Sequence, residues 1–264
     1  GGTGSDKVKH LFSHAGEAAL ARVMTLHPLL AFDFDGTLAP IVVRPADARL
    51  SLAVSTRLRR LAERHPVAIV TGRSVQDVRD RLGFEPTYVV GSHGAEDPAA
   101  AGADAVVHAL DVMRARFAAM SDRLRMAEVD VEDKRYSIAL HYRLARDRKR
   151  AQALIGTLLD PLPSSLRAFG GKCVENVVAA DAPDKADAVR RLLERSGRQV
   201  AVFLGDDVND EPVFKLAGPD WLTVRIGRAT AQTSSARFFL DSPGEVATML
   251  ERLVIQSRGA PAPG

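Results

Sequence analysis

The stretch Leu29-Leu-Ala-Phe-Asp33-Phe-Asp35-Gly-Thr37-Leu38 decides how this chain reads. An apolar run ends abruptly in two aspartates spaced two apart and a glycine. The run has the length of a buried strand, and the polar residues mark its carboxyl end. Working outward, residues 51–64 carry Leu52, Val54, Leu58 and Leu61 at helical spacing, and Val67-Ala-Ile-Val-Thr71 reads as a second strand. Residues 75–82 read as a helix and Tyr88-Val-Val-Gly91 as a third strand. Strands and helices in single alternation build a parallel sheet covered on both faces. The expected class is α/β with a Rossmann-like parallel-sheet core.

After Gly94 the pattern changes. Pro98-Ala-Ala-Ala-Gly-Ala103 is a connector of small residues, and residues 104–126 predict one long helix burying Val107, Leu110, Met113, Phe117 and Leu124. Residues 127–131 and 136–142 read as strands around the charged turn Glu132-Asp-Lys-Arg135. A helix over 147–159 and strands over 166–169 and 173–179 follow. Elements in this order point to an inserted α+β module. From Pro183 the alternation resumes, with helices over 184–196, 209–217 and 244–255 and strands over 200–204, 222–226 and 237–240. The division expected is a core from 28–100 and 181–258 with a cap over 101–180. Residues 1–27 are expected to be a tag remnant and lead helix, and 259–264 a disordered tail.

The 264 residues are 46% hydrophobic, enough for a sizeable core. A net charge of +3 favours anionic small molecules but is too weak to indicate nucleic acid. The basic run Arg143-Leu-Ala-Arg-Asp-Arg-Lys-Arg150 has no interleaved aromatics on which bases could stack. No apolar run reaches the roughly 18–20 residues that cross a bilayer. Around residues 18–30, Arg22, His27 and Pro28 make a poor signal peptide. A single cysteine, Cys173, rules out an intrachain disulfide and makes a reducing cytoplasm the expected location. Neither a nucleic-acid nor a membrane partner is expected.

The chemistry lies at strand ends, where open parallel sheets bind ligands. Asp33 and Asp35 end the first strand, and Gly205-Asp-Asp-Val-Asn-Asp210 follows the strand over 200–204. Two acidic clusters meeting at one rim would repel unless a cation lay between them. A hard divalent ion with oxygen ligands suits that place, and Mg²⁺ suits phosphate chemistry. Aspartates before helices can equally be N-caps, a role open to Asp207 and Asp210. Thr71, followed by Gly72-Arg73-Ser74 opening a helix, offers a hydroxyl and N–H groups to a phosphate, and Arg73 is counted among the substrate-binding residues. Lys185 sits in a first helical turn, where the helix dipole disfavours a cation unless an anion accompanies it.

These four motifs, in this order, resemble those of the haloacid-dehalogenase-like (HAD) phosphatases, and the insertion between the second and third resembles that family's α+β (C2-type) cap. The resemblance implies Asp33 as nucleophile and Asp35 as general acid and base. Thr71 and Lys185 would neutralise charge on the transferring phosphoryl group. Mg²⁺ would be held by Asp33, the Asp35 carbonyl and Asp206, with Asp210 and Asp207 in supporting positions.

Within that superfamily the chain looks most like the trehalose-6-phosphate phosphatase family over nearly all of residues 28–255. Gly91-Ser-His-Gly-Ala-Glu96, Ser137-Ile-Ala-Leu-His-Tyr-Arg143, Gly170-Gly-Lys-Cys-Val174 and Val224-Arg-Ile-Gly227 carry the likeness. It implies sugar-contacting roles for His93, Glu96, Arg143 and Lys172. Two positions depart from the family pattern. Asn176 stands where a Glu is usual, with Glu175 one place early; one step along a strand turns a side chain to the opposite face. Either Asn176 substitutes, or a bulge realigns Glu175. Lys185-Ala-Asp-Ala188 replaces the usual Lys-Gly-x-Ala. The expected activity is hydrolysis of trehalose 6-phosphate. Alternatives are a related enzyme for mannosyl-3-phosphoglycerate or sucrose phosphate, and a non-catalytic sugar-phosphate sensor.

Overall fold

The structure is a computed structural model that describes residues 7–100 and 103–258. The 259–264 tail, the opening glycine-rich stretch and part of the 98–103 connector lie outside the described residues. Before the first long strand come β1 (Lys9–His10) and α1 (His14–Thr25), the latter capped by Ser13. This lead segment is integral to the core: Leu11, Leu20 and Val23 are buried within it, and β1 extends the main sheet as an edge strand. Two residues are too short a strand to show any periodicity, so β1 left no trace in the sequence pattern.

The next elements are β2 (Leu29–Phe32), α2 (Leu52–Ala62), β3 (Val67–Val70), α3 (Val75–Leu82) and β4 (Tyr88–Val90). Every residue of β2 and β3 is buried, as expected of strands covered on both faces. In α2, Val54, Leu58 and Leu61 form the buried stripe; Leu52, one turn off it, is exposed.

The inserted module begins with α4 (Ala103–Ala109), α5 (Asp111–Ala119) and α6 (Ser121–Met126). The single long helix expected here is thus three short ones, with Met120 outside helical geometry at φ −109°, ψ 16°. Leu110, Met113, Phe117 and Leu124 are nevertheless all buried in one cluster. Burial of that apolar set against Ile138, Leu140 and Val177 of the sheet wins over helix continuity, and no Gly or Pro announces the breaks. The module continues with β5 (Asp130–Asp133), β6 (Ile138–His141), α7 (Arg148–Leu158), β7 (Leu166–Gly171) and β8 (Val174–Ala179). Its antiparallel sheet runs β5-β6-β8-β7. The segment read as a charged turn is largely strand: β5 includes Glu132 and Asp133, and the turn falls at Lys134–Tyr136.

The core resumes with α8 (Lys185–Ser196), β9 (Ala201–Gly205), α9 (Glu211–Leu216), β10 (Leu222–Ile226), β11 (Phe238–Leu240) and α10 (Val246–Ser257). The seven-stranded sheet has the order β1-β11-β10-β9-β2-β3-β4, parallel throughout. The central neighbours β2 and β9 therefore bring the two acidic segments side by side, with Phe32 paired to Leu204 at their carboxyl ends.

At the opposite edge of the core, His65 is buried and neither ring nitrogen has a hydrogen-bond partner. Burial, reinforced by the nearby Arg198, His27 and Arg64, lowers its pKa to about 4. The unfolded chain takes up this proton near pH 6.5, so the stability supplied by a neutral His65 is intact above that pH. It is lost progressively as the pH falls towards 4, by about 3 kcal/mol. His65→Leu is expected to flatten this part of the pH dependence, as measured by urea unfolding between pH 7 and pH 4. Parallel curves for the two proteins would remove His65 as the cause.

Candidate active site

Gly36 lets the chain turn after β2. Its φ of +75° suits glycine, and a Cβ there would run into the Asp206 carboxylate. The two acidic segments therefore meet directly. Carboxylate oxygens of Asp33, Asp206 and Asp210 lie within 4.8 Å of one another, and all three residues are buried. Burial, together with the Asp210 and Asp206 charges, pushes the Asp33 carboxyl up, against the opposing pull of Lys185.

Lys185 answers the demand that its position created. It opens α8, behind an Asp184–Asp187 capping box, and is only 2% exposed. Its Nζ donates to Asp210 Oδ1 at 2.8 Å and lies 3.2 Å from Asp33 Oδ1. Burial alone would lower its pKa; the Asp210 and Asp33 charges outweigh this and hold the ammonium well above the ordinary lysine range.

Asp207 takes the N-cap role, and Asp210 is the third residue of the same capping box. Its Oδ2 accepts from the N–H groups of Asp206 and Asp207 at 3.0 Å each, making it part of a capping box, while Oδ1 faces Lys185. Asp207 departs from the expected metal position. Its Oδ1 accepts from Val208 N–H and its Oδ2 from Lys172 N–H, so it is turned to the inserted module instead of the acidic cluster. Arg225, on β10, ties this loop down by donating to the Asp207 carbonyl at 3.0 Å and to Glu211 at 3.2 Å.

The three buried carboxylates fit a divalent cation. Their donors are all oxygen, and their mutual repulsion is only partly relieved by one fully buried ammonium. Asp33 and Asp206 would be the ligands, since both oxygens of Asp210 are already engaged.

The other expected site residues divide into two groups. Arg73 is buried and grips Asp35 as a fork, Nε to Oδ2 at 2.7 Å and Nη2 to Oδ1 at 2.8 Å, with Nη1 on Asp77. Arg73 thus holds the expected acid–base residue, and it also lines the cavity where substrate contact was expected of it. Burial opposes its charge, but the bonds to Asp35 raise its pKa all the same. Thr71 is buried, its hydroxyl accepting from Arg73 N–H at 3.1 Å. Ser74 caps α3, and Glu96 Oε1 accepts from Val75 N–H at 2.9 Å. The N–H groups of Arg73, Val75 and Asp77 at the start of α3 are thus satisfied within the chain. Glu96 is spent on that helix and is absent from the cavity wall.

The remaining residues line a cavity of about 1050 Å³ between core and cap. Asp33, Asp35 and Lys185 are at its floor, with His93, Arg143, Lys172 and Asn176 around them. His93 is carried in by a left-handed run at Ser92 and His93, φ 49° and 58°, which lets His93 N–H reach the Thr71 carbonyl at 2.9 Å. Burial and the charges of Lys185 and Lys134 lower its pKa well below the usual range. The pairing of β8 with both neighbours is unbroken, so no bulge realigns Glu175. Asn176 lines the cavity, and Glu175 faces away.

Glu132 and Lys134 are among the cavity residues that escaped the sequence reading. Lys134 Nζ donates to the Gly72 carbonyl at 2.9 Å and lies 4.0 Å from Glu132, which also accepts from His141 at 2.9 Å. The alternation Glu132-x-Lys134 was a signal for one shared face, but it was obscured once the segment was read as a turn.

Replacing Lys185 by Met leaves the buried Asp33 and Asp210 carboxylates without their ammonium. Unfolding stability near neutral pH is expected to fall by about 3–5 kcal/mol, as measured by urea denaturation. A midpoint within error of the parent would show that the cluster does not depend on this cation.

Comparison with known proteins places the chain. The trehalose-phosphatase family model matches residues 31–244. The trehalose-phosphate phosphatase of Mycobacterium tuberculosis is 34% identical over 250 residues, covering 89% of this chain and 63% of the relative. The chain thus spans less than two thirds of that relative's length. Among solved structures, the C. albicans trehalose-6-phosphate phosphatase C-terminal domain superposes with a TM-score of 0.76 at 20% identity, covering 95% of this chain and 99% of that one. A haloacid dehalogenase-like hydrolase from B. subtilis gives a TM-score of 0.59 at 18% identity, over 84% and 98%. At those identities the structures show a shared HAD fold. Taken with the four ordered motifs and a family match over most of its length, they make this chain a member of the trehalose-phosphatase family.

Proposed function

We propose that this chain hydrolyses trehalose 6-phosphate to trehalose and phosphate in a reducing cytoplasm. The observation that carries this is the convergence of Asp33, Asp35, Asp206 and Lys185 on the floor of a cavity whose walls come from both modules. Lys185 takes Asp33 Oδ1, leaving the second oxygen to attack phosphorus. The P–O bond to the sugar breaks as Asp33 becomes an acyl phosphate. Asp35, released from the Arg73 fork as substrate enters and protonated from solvent, gives that proton to the departing sugar oxygen, and then takes a proton from the water that hydrolyses the acyl phosphate. Asp33 and Asp206 carboxylates, with the Asp35 carbonyl, would hold Mg²⁺, which supplies positive charge against the phosphoryl oxygens. Lys185 adds a second fixed positive charge there.

The polar groups of the cavity wall suit a neutral, hydroxyl-rich leaving group. His93 is neutral, Asn176 offers an amide, and Glu132, Lys134 and Arg143 supply charged acceptors and donors. Asn176 also favours a second possibility, another glycosyl phosphate, because an amide replaces the carboxylate usual at that position.

A phosphate-release panel with Mg²⁺ separates the two. Trehalose 6-phosphate is expected to turn over fastest, and preference for another glycosyl phosphate would support the second substrate. Asp33→Asn is expected to lower kcat by at least about 1,000-fold while leaving the fold intact, and parent-like phosphate release would refute an Asp33 nucleophile. Arg143→Ala is expected to raise KM for trehalose 6-phosphate much more than for p-nitrophenyl phosphate. Equal effects on the two would mean that Arg143 does not touch the sugar.

A further inference from the structure

We infer that the cap hairpin carrying Lys172 and a divalent cation contend for the same carboxylate, so that cation binding and hairpin docking oppose one another. This extends the proposed cation role of Asp33 and Asp206, and rests on it. The hairpin joins β7 to β8, and its tip lies against the core loop that follows β9. Lys172 makes two separate contacts there. Its backbone N–H donates to Asp207 Oδ2 at 3.1 Å, and its Nζ donates to Asp206 Oδ2 at 2.7 Å. The neighbouring Gly171 fits the same floor closely: a Cβ there would come within 3.1 Å of Asp207 Oδ2 and 3.6 Å of Asn209 Nδ2.

The two adjacent aspartates therefore have different tasks. Asp207 anchors the hairpin backbone, and Asp206 is the contested group. The Asp206 side chain is 4% exposed and belongs to the three-carboxylate cluster, whereas the Lys172 side chain is 44% exposed and can withdraw into the cavity. An ammonium in contact with Asp206 lowers the negative potential that a divalent ion needs. An ion bound between Asp33 and Asp206 repels that ammonium in turn. Linkage makes the opposition reciprocal: whatever holds Lys172 on Asp206 weakens cation binding by the factor by which the cation weakens docking. The displaced ammonium stays on the cavity wall, where an arriving phosphate offers it a new partner. The hairpin thereby favours an order of loading, cation before sugar phosphate.

The molecule contains its own reporter. Cys173 is the only cysteine of the chain. It follows Lys172 at the hairpin turn with φ +54° and is half-buried. Its reaction with uncharged N-ethylmaleimide can be followed during a Mg²⁺ titration of the full chain, with calorimetry under the same conditions, in the parent and in Lys172→Met. The parent is expected to bind Mg²⁺ and to show Cys173 reacting about threefold faster, or more, in step with occupancy. Lys172→Met is expected to bind Mg²⁺ about three- to tenfold more tightly, with a fast thiol reaction that no longer responds to the ion. A purely structural role for Lys172 would change the thiol rate of the variant but not its Mg²⁺ affinity, and that result overturns the proposal. So does a parent that binds Mg²⁺ with a constant thiol rate, which leaves the phosphatase assignment standing. A parent that binds no Mg²⁺ overturns the proposal together with the cation site beneath it.

Discussion

Repulsion among carboxylates at the carboxyl ends of β2 and β9 is the constraint on which this molecule is organised. Phe32 and Leu204 are paired in adjacent parallel strands, so Asp33 and Asp206 must emerge side by side. Three buried acidic residues in that space would not remain ionised in isolation. Lys185 makes the arrangement tenable by bridging Asp33 and Asp210 from the start of α8. Asp210 in turn fixes the loop through two backbone N–H groups, and Arg225 holds it from the other side. The same surplus of negative charge that endangers the fold is what a divalent cation requires.

The inserted module completes this centre from above. Its own apolar cluster, built on Leu110, Met113, Phe117, Ile138 and Leu140, is separate from the core cluster, so it stands as a second body packed on the first. Its contacts with the floor include specific polar ones, Lys134 to the Gly72 carbonyl and Lys172 to Asp206 and Asp207, beside a small apolar contact of Phe169 with His93. Polar contacts of this kind can be exchanged for substrate groups at modest cost, whereas a large apolar seam could not. Asp35 is held in a similar way by Arg73, through a fork of two hydrogen bonds at the edge of the cavity.

Much of this was legible from residue order. The apolar runs ending in Asp33-Phe-Asp35-Gly and Gly205-Asp-Asp-Val-Asn-Asp210 announced parallel strands with acidic ends, and a lysine in a first helical turn demanded an anionic partner. Local pattern failed where tertiary packing overrode it. The 104–126 stretch has the periodicity of one helix and is bent into three, because its buried face follows the sheet beneath. Glu132 and Lys134 were hidden in a charged segment whose strand register only pairing with β6 defines.

Sequence spacing was sufficient to identify most of the strands and the acidic and basic groups at their ends, because these follow from chain-local patterns of burial and charge, and the ordered motifs carried the resemblance to the family. The allocation of those groups among partners was decided by the tertiary structure. Asp207 looks equivalent to Asp206 along the chain, yet one accepts from a cap backbone N–H and the other joins the buried cluster. Arg73 turned to Asp35, Glu96 to the first turn of α3, and Asn176, not Glu175, to the cavity. Such choices depend on distance and direction between elements far apart in the chain, which the linear order of residues does not encode locally.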